Sequence, residues 1–217
     1  MASWDEEKGR VSGAFDEWQL IDGDQRAFLR LGLEFATREY DRLWKESEQE
    51  PYYEGGPELI DSFEAKVDNL HQHDFDWMLL AGVLRDAVTS FEVYLEKARE
   101  EVLRHQGQPI PVEDESPRWG PQKRFFRRLG VEIETAEMKQ VRDLRNFLTH
   151  RRGELRTEEQ REQYREEHPN EFPRLAVDLG QENVVEAMDK LATAVRRVDP
   201  TVYKYTWGRV PLPNLTP

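Results

Sequence analysis

Arg145, Asn146 and His150 fall within one short segment, Val141-Arg-Asp-Leu-Arg-Asn-Phe-Leu-Thr-His-Arg-Arg-Gly-Glu-Leu155, the most basic stretch of an acidic chain. Histidine moves protons near neutral pH, and arginine presents a planar fork of donors to a phosphate gathering negative charge. Those two tasks are enough in kind to cleave RNA without a metal, because RNA carries its own nucleophile in the 2′-OH beside each phosphate. Spacing alone is weak support. With 23 Arg and five His in the chain, about 1.6 Arg-to-His pairs at gaps of four to six are expected by chance, the risk any short motif carries. Three occur: Arg145 with His150, Arg99 with His105, and Arg161 with His168.

Context separates them. Arg99 and His105 fall where a long helix runs into a Gly/Pro-rich loop, and Arg161 and His168 belong to an almost wholly polar helix. The motif pair alone sits on a helix with a packed face, predicted from about Thr135 to a left-handed cap at Gly153 and burying Met138, Val141, Leu144 and Leu148. Asn146 and His150 are four apart, so Asn146 can orient the imidazole, and Arg145 pairs likewise with Thr149. Arg145 and His150 are about 140° apart around a 3.6-residue turn. Joint use of both on one phosphate requires a distorted helix end or two copies, which favours a symmetric dimer.

Charge sharpens the setting. The net charge is −13, which argues against indiscriminate nucleic-acid binding. Yet between Arg118 and Arg156 stand eleven basic residues and five acids, a local balance of +6 that leaves −19 elsewhere. Such an island can focus an anionic ligand on one place; Arg-rich helix faces paired with acidic neighbours produce the same count. The 217 residues suffice for one domain with elaborations. Zero cysteines exclude disulfides, thiolate metal sites and cysteine nucleophiles. No run approaches the roughly 18 apolar residues of a membrane span, and the polar, acidic opening lacks a secretory pattern, so a cytoplasmic protein is expected.

The elements that must hold the motif read as all-α. A first helix is expected after Asp24, with Phe28, Leu31, Phe35 and then Leu43 or Trp44 on one side, and a second after Pro57 carrying Leu59, Ile60, Phe63, Val67 and Leu70. The clearest helix runs from about Trp77 to Arg104. Positions 77, 81, 84, 88, 91, 95, 98 and 102 form an unbroken seam, and Leu79, Val83, Ala87 and Tyr94 form a second face, a candidate contact with another subunit. Residues 106–121 are loop by composition, and a short helix follows with Phe125, Phe126 and Leu129, stopped by Gly130. Thr157 and Gln160 form a capping box for a polar, solvent-facing helix to about Glu167. Residues 175–179 offer a brief extended piece. Asn183 and Glu186 cap a last amphipathic helix through Val198, and Pro200 opens an aromatic, then proline-rich tail.

Arg145-Asn146-Phe147-Leu148-Thr149-His150, followed by Arg151-Arg152-Gly153, resembles the signature of the HEPN superfamily, whose domains are all-α bundles. The long helix 77–104 and the last helix 183–198 resemble that family's first and last core helices. The likeness covers roughly residues 75–200, and its sharp part is six to nine residues. It implies an N-terminal helical extension (1–74) packed on a HEPN-like core (75–200), with a charged insertion at about 154–182 and a C-terminal tail (201–217). The extension, the insertion and the tail depart from a minimal family domain and leave subfamily and substrate open. Many such proteins are metal-independent endoribonucleases of toxin–antitoxin or phage-defence systems, acting as homodimers through a composite site.

Carried over, the resemblance makes Arg145 and His150 catalytic and Asn146 supporting, with no cofactor and no metal. The expected partners are an RNA substrate, a second copy, and an antitoxin or regulatory protein. His150 would be the general base or acid, worth roughly 10²–10⁴-fold, and Arg145 would stabilise the charged transition state. Arg142, Arg151 and Arg152 would hold flanking phosphates. The products implied are a 2′,3′-cyclic phosphate and a 5′-OH. A zinc site at His71, His73, Asp74 and Asp76 lacks a distant second ligand set, and those aspartates suit a helix start. Two other readings stay open: a non-catalytic helical domain binding nucleotide, RNA or a protein partner through the same basic surface, and an interaction protein working through its aromatic tail and second helix face.

Overall fold

The computed structural model describes residues 11–49, 58–66, 72–110, 119–151, 153–155, 157–167, 177, 179–208 and 210–213, with backbone alone at 62, 64, 65, 72–74, 151 and 167. The described residues form helices and connecting turns, with no strand among them. In chain order the helices are α1 (Gly13–Glu48), α2 (Leu59–Lys66), α3 (Gln72–His105), α4 (Trp119–Arg128), α5 (Ala136–Arg151), α6 (Glu158–Glu167) and α7 (Gln181–Tyr205). The protein is an all-α bundle built around α3, which touches α1, α4, α5 and α7.

The seam on α3 explains why. Leu84, Val88, Phe91, Leu95, Ala98 and Val102 are fully buried, which one helix of 34 residues achieves only when other helices cover it lengthwise. Its second face is buried as well, through Val83, Ala87 and Tyr94. The covering element there is α1 of the same chain, not another subunit. Gly32 of α1 lets the two helices close, since a Cβ at that position would stand 2.7 Å from the Leu79 side chain.

Helix α1 begins twelve residues earlier than the hydrophobic period predicts. Ser12 caps it by accepting from the Phe15 amide at 3.1 Å, and Glu101 of α3 accepts from the amides of Gly13 (3.2 Å) and Ala14 (3.0 Å). These supply three of the amides that a helix start leaves orphaned. Trp18 then anchors the first turns edge-on against Tyr94. The face α1 buries is Ala14, Trp18, Gln25, Leu29 and Ala36. The more obvious stripe of Phe28, Leu31 and Phe35 is exposed.

Helix α7 lies against α3 and buries Val184, Met188, Leu191, Val195, Val198 and Val202. It runs on through Pro200 to Tyr205, so the expected tail at 201–217 starts as helix. Pro200 is exposed while Val198, Asp199, Val202 and Tyr205 are buried. The bond lost at the proline is therefore on the solvent side, and packing on the other side carries the helix past it. Its start is also shifted: Gly180 is the cap residue, and its amide donates to the Asn183 side chain at 3.0 Å.

Two expected turns hold as read. Thr157 and Gln160 exchange reciprocal bonds of 3.2 Å, and Gly130 adopts a positive φ of 83° after α4. Helix α6 is less solvent-facing than its composition implies, because Tyr164 and the preceding Leu155 are buried. Val67, Leu70 and most of the expected extended piece at 175–179 lie outside the described residues.

Candidate functional site

Helix α5 carries the motif. Thr135 accepts from the Met138 amide at 3.2 Å, and Met138, Val141 and Leu148 bury its inner face with Leu144 packed beside them. Gly153 follows the helix at φ 73°, where a non-glycine residue is strained. A Cβ there would also lie 2.9 Å from Trp77, whose indole N–H donates to the Val177 carbonyl at 3.0 Å. The end of α5 is thus tied to the start of α3.

On this frame two motif arginines converge on one carboxylate that the sequence reading did not single out. Glu92 of α3 accepts from Arg145 Nη2 at 2.6 Å and from Arg142 Nε at 3.2 Å. All three side chains are below 20% exposed. Arg142 also stacks on Trp119 of α4, its guanidinium carbon 3.7 Å from the ring centroid, and reaches Glu134 at 3.7 Å. Glu134 in turn accepts from the Trp119 indole at 2.7 Å and from Lys123. The Lys123 bond, then the Trp119 bond, hold the Glu134 carboxyl below the usual range.

Arg145 is therefore anchored rather than free. Its Nε is buried and finds no acceptor among the described residues, a donor whose burial costs about 1–3 kcal/mol when unmet. His150 stands exposed on the last turn of α5. The regular helix keeps the two apart, as a 3.6-residue turn dictates. Asn146 is half-buried and makes no hydrogen bond to His150 among the described contacts. Thr149 does reach back to Arg145, donating to its backbone carbonyl at 2.8 Å, not to its side chain. The side chain of Arg151 and all of Arg152 lie outside the described residues.

The structure thus brings Arg142 and Arg145 together and adds Glu92, Glu134, Trp119 and Lys123. Glu92 lies 50 residues before Arg142, and no local pattern links them. It also lowers the effective positive charge of the basic island, since it is an acid contributed from outside the Arg118–Arg156 segment.

Among the described residues, no group of three or more acidic or histidine side chains is arranged to hold a metal ion. His71 and the side chains of His73 and Asp74 lie outside them. No helix among the described residues is long and apolar enough to cross a membrane. Comparisons with protein-family models, with curated proteins and with solved structures find no match.

Proposed function

We propose that the protein is a metal-independent endoribonuclease of toxin or phage-defence type, in keeping with the HEPN-like motif. The observation that carries this reading is the pairing on α5 of an anchored arginine with an exposed histidine. Arg145 is held by Glu92, ready to meet a phosphate without losing much side-chain freedom, while His150 is open to solvent and to substrate. A substrate 2′-OH would lose its proton to a His150 imidazole and attack the adjacent phosphorus. The 5′-oxygen would leave and take up a proton, giving a 2′,3′-cyclic phosphate and a 5′-OH. Because Arg145 and His150 point apart along one straight helix, a site using both would take them from two copies.

A second reading has its own support. Glu92 already engages both Arg142 and Arg145, as in a helical domain that binds nucleotide, RNA or a protein partner without cleaving.

The test incubates purified wild type and His150→Ala with structured and unstructured RNA in excess EDTA. Loss of at least 100-fold in the variant, with an unchanged circular-dichroism spectrum, is expected from removing a general acid or base. Equal cleavage by both proteins would sink the nuclease reading. RNA binding without cleavage by either would support the second one.

A further inference from the structure

Helices α1 and α3 run antiparallel: Trp18 meets Tyr94, Gln25 meets Asp86 and Ser90, and Gly32 meets Leu79. Between them lies an open groove of about 670 Å³, within the roughly 300–1,000 Å³ of small-molecule sites. Its two ends differ. At one end Asp24 and Gln25 of α1 stand beside Asp86 of α3, while toward the other Phe28, Leu79, Met78 and Phe75 present apolar surface. From Asp86 to Phe75 is eleven residues, about 16 Å of helix. Gly82 lines the stretch between, and a Cβ at that position would meet nothing within 4 Å.

The polar end offers acceptors without cations. Gln25 is 8% exposed, and its amide nitrogen donates to Asp86 at 2.6 Å and to the Ser90 hydroxyl at 2.8 Å. A carboxylate only accepts, so Asp86 fixes which way the amide points. The Gln25 carbonyl oxygen is left with no donor among the described contacts. No Lys, Arg or His lines the groove, and neither Asp24 nor Asp86 has a cation partner among the described ion pairs. The arginines nearest in sequence are engaged elsewhere: Arg26 with Asp22 and Asp189, and Arg85 through its Nε with the Ala81 carbonyl.

Two carboxylates and an unmet carbonyl oxygen at one end of an apolar trough match one ligand chemistry. An ammonium carries three N–H donors and no acceptor, and an apolar body attached to it would cover the rest of the groove. A divalent ion fits poorly, since calcium and magnesium take about six or more oxygens and no third acidic or histidine side chain joins these two among the described residues.

We infer that the α1–α3 groove binds a small amphipathic amine, its ammonium against Asp24, Gln25 and Asp86 and its apolar body toward Phe75. This goes beyond the nuclease reading. Among the described residues α1 makes no contact with α5, so amine binding and RNA cleavage can fail separately.

Calorimetric titration of the full chain at neutral pH compares octylammonium, octanol and octanoate, three probes that share one apolar chain. Octylammonium should bind one site at least 10-fold more tightly than octanol, with octanoate weaker still. Butylammonium should bind at least 10-fold more weakly than octylammonium, since each buried methylene is worth about fourfold. The chain's charge of −13 attracts any cation, so two variants locate the site. Gly82→Leu fills the groove without a clash and improves helix propensity; it should abolish binding while the thermal midpoint stays equal or rises. Asp24→Asn with Asp86→Asn should erase the preference for octylammonium over octanol, and an Asn side chain at position 86 still accepts from Gln25. The inference is overturned by octanoate binding as tightly as octylammonium, by unchanged binding in Gly82→Leu, or by an ammonium preference that survives the double substitution. Absence of octylammonium binding up to about 1 mM overturns it as well.

Discussion

Two carboxylates tie this bundle together, and they do it by opposite physics. Glu92 faces two guanidiniums, so charge answers charge, and Trp119 covers Arg142 from the other side. Asp199 of α7 is 2% exposed and faces no cation among its described partners. It accepts instead from the Ser12 hydroxyl, from the Ser12 amide at 3.2 Å and from the Tyr94 hydroxyl at 3.4 Å. Burial outweighs those donors and pushes the Asp199 carboxyl above its usual value. Burial likewise leads in raising the Tyr94 phenol. One junction is a charged cluster beside a candidate site; the other is a buried clamp without a cation, holding the start of α1 to α3 and α7.

That contrast predicts unequal losses. Asp199→Ala strands two hydroxyls and an amide and loosens the α1 start, and should destabilise by about 3 kcal/mol in chemical denaturation. Glu92→Ala removes the acceptor of Arg145, but Arg142 keeps Glu134 and its stack on Trp119, and a smaller loss of about 2 kcal/mol is expected. A loss for Glu92→Ala equal to or above that for Asp199→Ala would erase the distinction.

The two regions should also respond to pH with opposite sign. Asp199 has a raised folded-state value, so its contribution is complete below the ordinary 3.8 and is lost as pH rises through the raised value. Glu134 has a lowered one, so its contribution is present above the ordinary 4.5 and is lost as pH falls through the lowered value. Urea unfolding of wild type against Asp199→Asn and against Glu134→Gln, from about pH 3 to 7, isolates each effect. Two differences that drift in the same direction would show that the contrast is misdrawn. The smallest expected effect is that of Arg142→Lys, which keeps the charge but loses the planar stack on Trp119. About 1 kcal/mol should disappear from thermal stability.

The helices were legible wherever a period met a cap. The α3 seam, the Thr135 start and Gly153 stop of α5, and the Thr157 box all follow from neighbours within one or two turns. The site was legible only in part. Arg142 and Arg145 could be read from their own helix, but Glu92 and Trp119 could not, because a contact across 50 residues leaves no trace in local spacing. The α1 reading failed for a related reason. Phe28, Leu31 and Phe35 give the stronger hydrophobic signal, yet Gly32, Ala36 and Leu29 face α3, because close approach of two long helices favours small residues at their crossing.

By itself, then, the sequence determined an all-α chain, a long central helix, and a basic, capped helix ending in Arg145 and His150. Tertiary structure alone decided which carboxylates those arginines meet, that Pro200 stays inside α7, and which side of α1 is left exposed. Periodicity and caps are set by neighbours in the chain, whereas the pairing of charges and the choice between two apolar faces depend on helices far apart in sequence.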